Sequence, residues 1–439
     1  MEHHVRSLGR PFWTFWSAAA LANLGDGIRV AAFPLLAAAL TDDPLAVAAV
    51  AAAQFLPWLV SGLLAGALAD RRGARTLLAA ADTGRVVVLA TLAATVALGW
   101  ATIALVVAAA FLLGVGETIR DTAAQTAVPR LVADAQLERA NGRLVAGEIV
   151  GNEFVGPPVG ALLFVLGAAI PFAVNGAALA LAVMLVLSLP LTLTHRGSAA
   201  TSATATTATS ATSATSAATA TATTGATATS ATGGDTPVAE HDGILAGLRW
   251  LVRQPMLRTL VLVTAAVAAA DTAWFAIFVL YARDALGLGA FGFGLLLATG
   301  AAGGLIGSFA ADRLIARFRH RTMLTWSMAV TAGVPALLAV VTDRTAAVVV
   351  VVSTSAAFAV LNVAALSVRQ RLVPIGLLGR VIAASRLVTY GCTALGALAG
   401  GALAARAGLG APFVFSGAVA VAATITWWCA SRPAAYGLR

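Results

Sequence analysis

The chain has 439 residues, of which 59% are hydrophobic and 11% charged, with a mean hydropathy of +0.89. Soluble domains average about 25% charged residues, so the composition excludes a water-soluble globular protein and fits spans of about 20 apolar residues. The formal charge of +9 comes from arginine alone, scattered between apolar runs, which excludes a nucleic-acid-binding patch.

Apolar windows predict an all-α polytopic protein. Six spans lie near 13–40, 46–69, 76–98, 101–126, 144–166 and 168–193. Six more lie near 256–282, 290–316, 322–341, 345–370, 380–406 and 410–431. Arg6 and Arg10 before the first run imitate a signal peptide. That run continues from Pro11 to Leu40 and holds Asn23, Asp26 and Arg29, so a retained first span is expected.

Asp26 and Arg29 stand one helical turn apart inside the first span. Charge at that depth costs roughly 2.5–3.5 kcal/mol per residue and normally faces a partner or a watery cavity. The second span runs into Gly66-Ala-Leu-Ala-Asp70-Arg71-Arg72-Gly73-Ala-Arg75. Asp82 and Arg85, three apart near the start of the third span, are expected to form a salt bridge at a cytoplasmic gate. In the fourth span Glu117 and Asp121 share a face, with Arg120 adjacent.

The fifth span carries Glu148, Asn152 and Glu153 among Gly147, Gly151, Gly156, Pro157 and Gly160. Small residues at such spacings let helices approach closely, and the proline bends the span. Asn175 is a lone polar group in the sixth span, read equally as pocket lining or as helix packing.

Residues 198–232 are almost wholly Ala, Thr and Ser, so 198–242 is expected to be a disordered cytoplasmic linker between a bundle over 1–197 and one over 243–432. Residues 433–439 would form a cytoplasmic tail. Residues 243–253 suit an amphipathic helix on the membrane surface, or an early start to the seventh span. Asp271 lies in that span beside Trp274 and Phe275, with no base of its own.

Several features recur. Asp26 with Phe33 returns as Asp271 with Phe278, 245 residues on, and Gln125…Pro129 returns as Gln370…Pro374 at the same offset. Gly151, Gly156 and Gly160 return as Gly391, Gly396 and Gly400, 240 residues on. Two pseudo-symmetric six-helix bundles with a path between them follow. Arginine placement gives 21 on the side of the termini against three opposite (Arg283, Arg344, Arg406). The positive-inside rule then puts both termini in the cytoplasm of a multi-pass cell-membrane protein.

The loop from Gly66 to Arg75 resembles the signature loop of the major facilitator superfamily, with its last arginine displaced by one residue. In that family Gly66 would permit close helix approach, Asp70 would cap or pair, and Arg71, Arg72 and Arg75 after Gly73 would hold the inward loop shut. The glycine-rich fifth span resembles the exporters' motif, although Gly151 and Gly156 are one residue further apart than that pattern allows. Asn23-Leu-Gly-Asp26-Gly, Thr41-Asp-Asp-Pro44, Leu56-Pro57-Trp58 and Gly379-Arg380-Val381 are similar to the branch of macrolide-efflux proteins and enterobactin exporters.

The resemblance implies a secondary transporter rather than an enzyme. It would export amphipathic small molecules (drugs, macrolide-like compounds or siderophores) by alternating access, drawing on the proton motive force and needing no cofactor. Interior acids outnumber interior bases, which suits a proton relay. A static network, with Asp26 neutralised by Arg29 and Arg120 by Asp121 or Glu117, is the alternative. Import or facilitated passage, or membrane sensing without transport, are the other functional readings. Lipid, cargo and protons are the expected partners, nucleic acid is not, and a monomer is expected. The five histidines lie outside the spans, Cys392 and Cys429 lie singly in apolar runs, and no metal site is expected. No phosphate-binding loop occurs.

Overall fold

The computed structural model describes residues 8–133, 136–189 and 243–431; within these, the side chains at 60–72, 243–246, 375, 376 and 379 are outside the description. The linker 198–242 and the tail 433–439 also lie outside the described residues.

The first half comprises α1 (Arg10–Leu40), α2 (Pro44–Arg72), α3 (Ala74–Ala97) and α4 (Ile103–Leu131). Its fifth span is α5 (Leu137–Glu148), a π-helical turn (Ile149–Val155) and α6 (Gly156–Leu166), followed by α7 (Ile170–Leu187). In the second half α8 (Gly243–Arg253) precedes α9 (Pro255–Phe275), α10 (Phe278–Asp284), α11 (Ala290–Arg317) and α12 (His320–Gly333). A 3₁₀ turn extends α12, and α13 (Arg344–Leu372), α14 (Ile375–Ala407) and α15 (Ala411–Ala430) complete the half. Eleven spans are long and apolar enough to cross a membrane, and α2, apolar over Pro44–Leu59, supplies the twelfth.

Caps set several boundaries. Asp43 accepts from the backbone N–H of Leu45 to start α2, and Asp343 accepts from Thr345 and Ala346 to start α13. Gln254 is extended immediately before Pro255, so α8 and α9 are separate helices rather than one early span. The Asp343 carboxyl is held below its ordinary range by the Ala346 and Thr345 N–H groups.

The halves repeat their packing. α1 lies on α6 and α7 as α9 lies on α14 and α15, and α2 pairs with α4 as α11 pairs with α13. Across the seam α2 meets α14, and α6 meets α11. In lipid no hydrophobic force drives helices together, so close backbone approach has to supply the attraction. A Cβ on Gly160 would overlap the Ile28 carbonyl, and one on Gly400 would overlap the Ala273 carbonyl. Ile28 and Ala273 are themselves 245 residues apart, so the offset legible in the sequence is the offset of the packing.

The apolar core is shared at one end only. At the end away from Arg10 and Ala430, buried side chains of both halves form one cluster, including Phe33, Leu36, Phe172, Trp274, Phe278 and Phe413. At the end carrying the termini the clusters are separate, one around Phe12, Phe15 and Leu77, the other around Leu260, Met328 and Trp427. Among the described residues the halves are therefore closed at the far end and divided at the end of the termini.

Candidate functional site

Helical periodicity places Asp26 and Arg29 on one face of α1, and Asp82 and Arg85 on one face of α3. α4 presents Glu117, Arg120 and Asp121 toward both. These seven side chains form one ladder of alternating charge. Glu117 accepts from Arg29 at 2.5 Å, and Arg29 lies 3.4 Å from Asp26. Arg85 donates to Asp26 and reaches Asp82 at 3.3 Å. Asp82 is 3.2 Å from Arg120, whose Nη1 is 3.9 Å from Asp121.

Burial explains the alternation. Arg29, Asp82 and Arg85 are each at most 2% exposed, and an isolated ion at such a site costs several kcal/mol. Alternating signs give each inner charge opposite neighbours on both sides. Four carboxylates face three guanidiniums, so both ends of the ladder are acids. Asp121, with the longest contact, is also the most open, its side chain 18% exposed. Gly116 makes the arrangement possible, because a Cβ there would overlap the Arg85 side chain.

The fifth span adds acid beyond that end. Glu148 lies within electrostatic reach of Asp121 and Glu153. Neither glutamate forms an ion pair among the described residues. Between them the helix widens for one turn, and the N–H of Gly156 donates to the carbonyl of Gly151, five residues back. That extra residue is the one by which the glycine spacing departs from the exporter pattern. The π turn absorbs it, so that Gly151 packs on Leu24 and Gly156 on Gly27, both on α1. Asn152 is buried with its side-chain oxygen unpaired, and its backbone contacts Gly27. Pro157 opens α6 behind this turn. Gly147 lies against the ring of Trp16, whose indole donates to the Arg143 carbonyl at 2.9 Å.

Asp271, the counterpart of Asp26, has no ladder around it. It is 1% exposed, and neither carboxylate oxygen has a well-formed hydrogen bond. Its polar neighbour is the Trp274 indole one turn on. Trp274 itself sits in an aromatic cluster with Phe275, Phe278 and Phe413, ring centroids 5.1–5.7 Å apart. The repeat thus conserves a buried acid while its setting changes from ionic to aromatic.

Comparisons with known proteins bear on this geometry. The sequence pattern of the Major Facilitator Superfamily matches residues 15–388. The chain belongs to the Major Facilitator Superfamily. It is 32% identical over 158 residues to an uncharacterized MFS-type transporter of Mycobacterium bovis and, equally, to one of Mycobacterium tuberculosis. Those segments cover 35% of this chain, which spans about a third of the length of these relatives (34%). Among solved structures, the nucleoside transporter NupG superposes with a TM-score of 0.73 at 11% identity, covering 96% of this chain and 100% of that one. A bacterial homologue of the iron transporter ferroportin in an inward-facing state gives 0.71 at 15% identity, covering 97% and 100%. A bacterial Spinster homologue, inward-facing and unoccupied, gives 0.68 at 14%, covering 96% of each. At these identities the likeness is one of fold. The protein is a multi-pass membrane protein of this superfamily.

The signature loop of this superfamily member is described in part. The side chains of Gly66, Asp70, Arg71 and Arg72 lie outside the described residues. Gly73 joins α2 to α3 at φ 73°, a left-handed conformation that suits glycine. Arg75 donates to the carbonyl of Leu187 at the end of α7, tying the loop to its own half.

Three geometric expectations change. Asp82 and Arg85 do pair, but they are the middle links of the central ladder rather than a separate gate-side pair. Arg29 is not simply the local partner of Asp26, since its short bond is to Glu117. Arg120 turns to Asp82 more closely than to Asp121, and forms no ion pair with Glu117. Asn175 is 1% exposed and packs against Gly25 of α1, which fits the packing reading.

Asp42, Arg283, Gly116 and Tyr390 had no site role in the sequence reading. Arg283 donates to Asp42 at 2.8 Å and to the Ala38 carbonyl at 3.0 Å, bridging the halves at their closed end. Tyr390 of α14 stacks on Trp58 of α2, centroids 5.0 Å apart, across the same seam. The contacts of Arg283 and Tyr390 join residues hundreds of positions apart, and no local pattern announces them. Among the described residues no three His, Cys, Asp or Glu side chains gather as metal ligands.

Proposed function

We propose that this chain is a secondary active transporter that couples inward proton movement to export of amphipathic small molecules by alternating access. The observation that carries this reading is the acidic end of the ladder. Asp121 hangs on a 3.9 Å contact, and Glu148 and Glu153 stand beyond it without a base of their own. Carboxylates outnumbering their counter-charges in a membrane interior provide sites at which a proton can bind and leave. In this reading Asp121 and Glu148 take up the proton. Asp26 and Arg85 transmit the change to α1 and α3, and the second half rocks about the seam. Both termini and the divided end face the cytoplasm, in keeping with the arginine distribution.

The resemblance of the fifth span to the exporters' motif, with its extra residue taken up by the π turn, supports outward transport. Drugs, macrolide-like compounds and siderophores are the cargo classes that the branch resemblance suggests. Import is the second reading, since the fold by itself sets no direction of transport. Everted vesicles expressing the wild type should show proton-driven efflux of a dye or drug, and D121N should lose it while folding normally. Undiminished efflux in D121N and in E148Q would remove the coupling assignment. Accumulation of cargo by energised intact cells would reverse the direction.

A further inference from the structure

The interior of the second half carries an unpaired positive charge. Arg386 of α14 has a buried Nη2 with no hydrogen-bond partner, and Arg369 of α13 has a buried Nε in the same condition. The two guanidiniums lie close enough for their charges to repel. Arg369 has one long bond, donating to the Thr264 hydroxyl of α9 at 3.4 Å. Among the described residues no carboxylate forms an ion pair with either arginine. The acids of the first half that lie nearest in charge terms, Glu117, Asp121 and Glu148, reach Tyr390 electrostatically but lie beyond ion-pair distance of Arg386. Two like charges held together in a membrane interior call for an anion between them, and the guanidinium fork matches a carboxylate, sulfonate or phosphate.

The surroundings define the rest of the ligand. Tyr390 lies one helical turn from Arg386 and stacks on Trp58 (5.0 Å) and Phe55 (6.4 Å) of the other half. A flat aromatic wall therefore stands one helical turn from Arg386, at the seam where the halves meet. We propose that Arg386 and Arg369 form an anion-binding site and that Tyr390 with Trp58 receives an apolar body, so that the cargo is an aromatic or amphipathic organic anion. This rests on reading the divided seam as the cargo path, and it narrows the cargo class without requiring proton coupling.

Three naphthalenes test it: 1-naphthoate, neutral 1-naphthamide and cationic 1-naphthylmethylammonium, titrated against full-length protein in zwitterionic nanodiscs by calorimetry. The wild type should bind the acid at least about tenfold more tightly than the amide, and the cation more weakly still. R386Q and R369Q should abolish the preference while retaining amide binding, which shows that they are folded. R386K should keep part of the preference. Equal affinities for acid and amide, no binding of the acid, or a preference that survives in both glutamine variants would overturn the site. Loss of naphthoate binding in phosphatidylglycerol nanodiscs would seat a lipid headgroup on the pair and overturn the cargo assignment. Anion preference without proton-driven flux leaves this site standing and removes the exporter reading. Proton-driven flux of neutral cargo alone, with no anion preference, does the reverse.

Discussion

Arg283, at the end of α10, donates to Asp42 between α1 and α2, and so ties the second half to the first at the closed end of the seam. The pair is open to solvent, with side chains 41% and 86% exposed, so the charge itself contributes about 0–1 kcal/mol. Arg283 also holds the Ala38 carbonyl, which Asp42 does not. R283Q should therefore shift the conformational balance away from the state closed at this end, and D42N should shift it less. Distances between spin labels placed at the two ends, with Cys392 and Cys429 replaced, read the shift. An identical distance distribution in R283Q and wild type would mean that the pair does not hold the seam.

The ladder predicts an uneven mutational response. D26N or R85Q removes an inner link and leaves a buried charge uncompensated, a loss of about 3–5 kcal/mol. D121N removes the open end and should cost less than about 1 kcal/mol, since its contact to Arg120 is long. Thermal unfolding in detergent would order the variants. Equal midpoints for R85Q and D121N would show that the inner links are not what holds α1, α3 and α4 together. A loss of transport in D26N is accordingly ambiguous on its own, and D121N is the cleaner probe of coupling.

Glycines divide by what their missing side chain would meet. G160A and G400A force a methyl into the Ile28 and Ala273 carbonyls, a close approach that should cost about 1–3 kcal/mol in each half. At Gly84 and Gly142 a Cβ meets nothing within 4 Å, so alanine there should raise helix stability by about 0.8–1.0 kcal/mol. The midpoint of G160A should fall and that of G84A should not. If all four variants matched, the backbone contacts would not be what closes each half.

Asp343 gives a pH test outside the spans. Its carboxylate accepts from Ala346 and Thr345, which holds its folded pKa below the unfolded value. A depressed carboxylate stabilises the fold above its unfolded pKa, near about 3.9, and that contribution is lost as pH falls through the folded value. D343A should unfold at a lower temperature than wild type at pH 7, and the gap should narrow as pH falls below about 4 and through the folded pKa. A gap that does not narrow at all as pH falls from about 7 to about 2 would indicate that the cap acts through something other than its charge.

The helices were legible because each span must be apolar along most of its length. Expected and observed limits agree within a few residues for most spans, as with 290–316 against Ala290–Arg317. The fifth and eleventh spans begin earlier than expected, because the mostly polar residues 137–143 and the glycine-containing Ile-Gly-Leu-Leu-Gly of 375–379 continue the helix beyond the expected window. The site was legible as a set of residue types, since charge inside an apolar run is costly enough to need a reason. Its pairing was not. Arg29 has Asp26 one turn away, and proximity in sequence favours that pair, yet the shortest bond of Arg29 crosses to Glu117, 88 residues on. The extra residue between Gly151 and Gly156 looked like a departure from the motif, and only the backbone shows the π turn that absorbs it.

Composition and periodicity by themselves determined a duplicated all-helical membrane protein with an interior acid at the same place in each half. Both are consequences of the chain's own pattern against lipid, and need no knowledge of which helix lies beside which. Only the tertiary structure decided which charges share a bond, which end of the seam is closed, and that Arg386 and Arg369 lie together without an acid. Those facts depend on how α1, α3 and α4, or α13 and α14, are set against one another. Ion pairing acts over a few ångströms, so a small rotation of one helix reassigns every partner while leaving the sequence pattern unchanged.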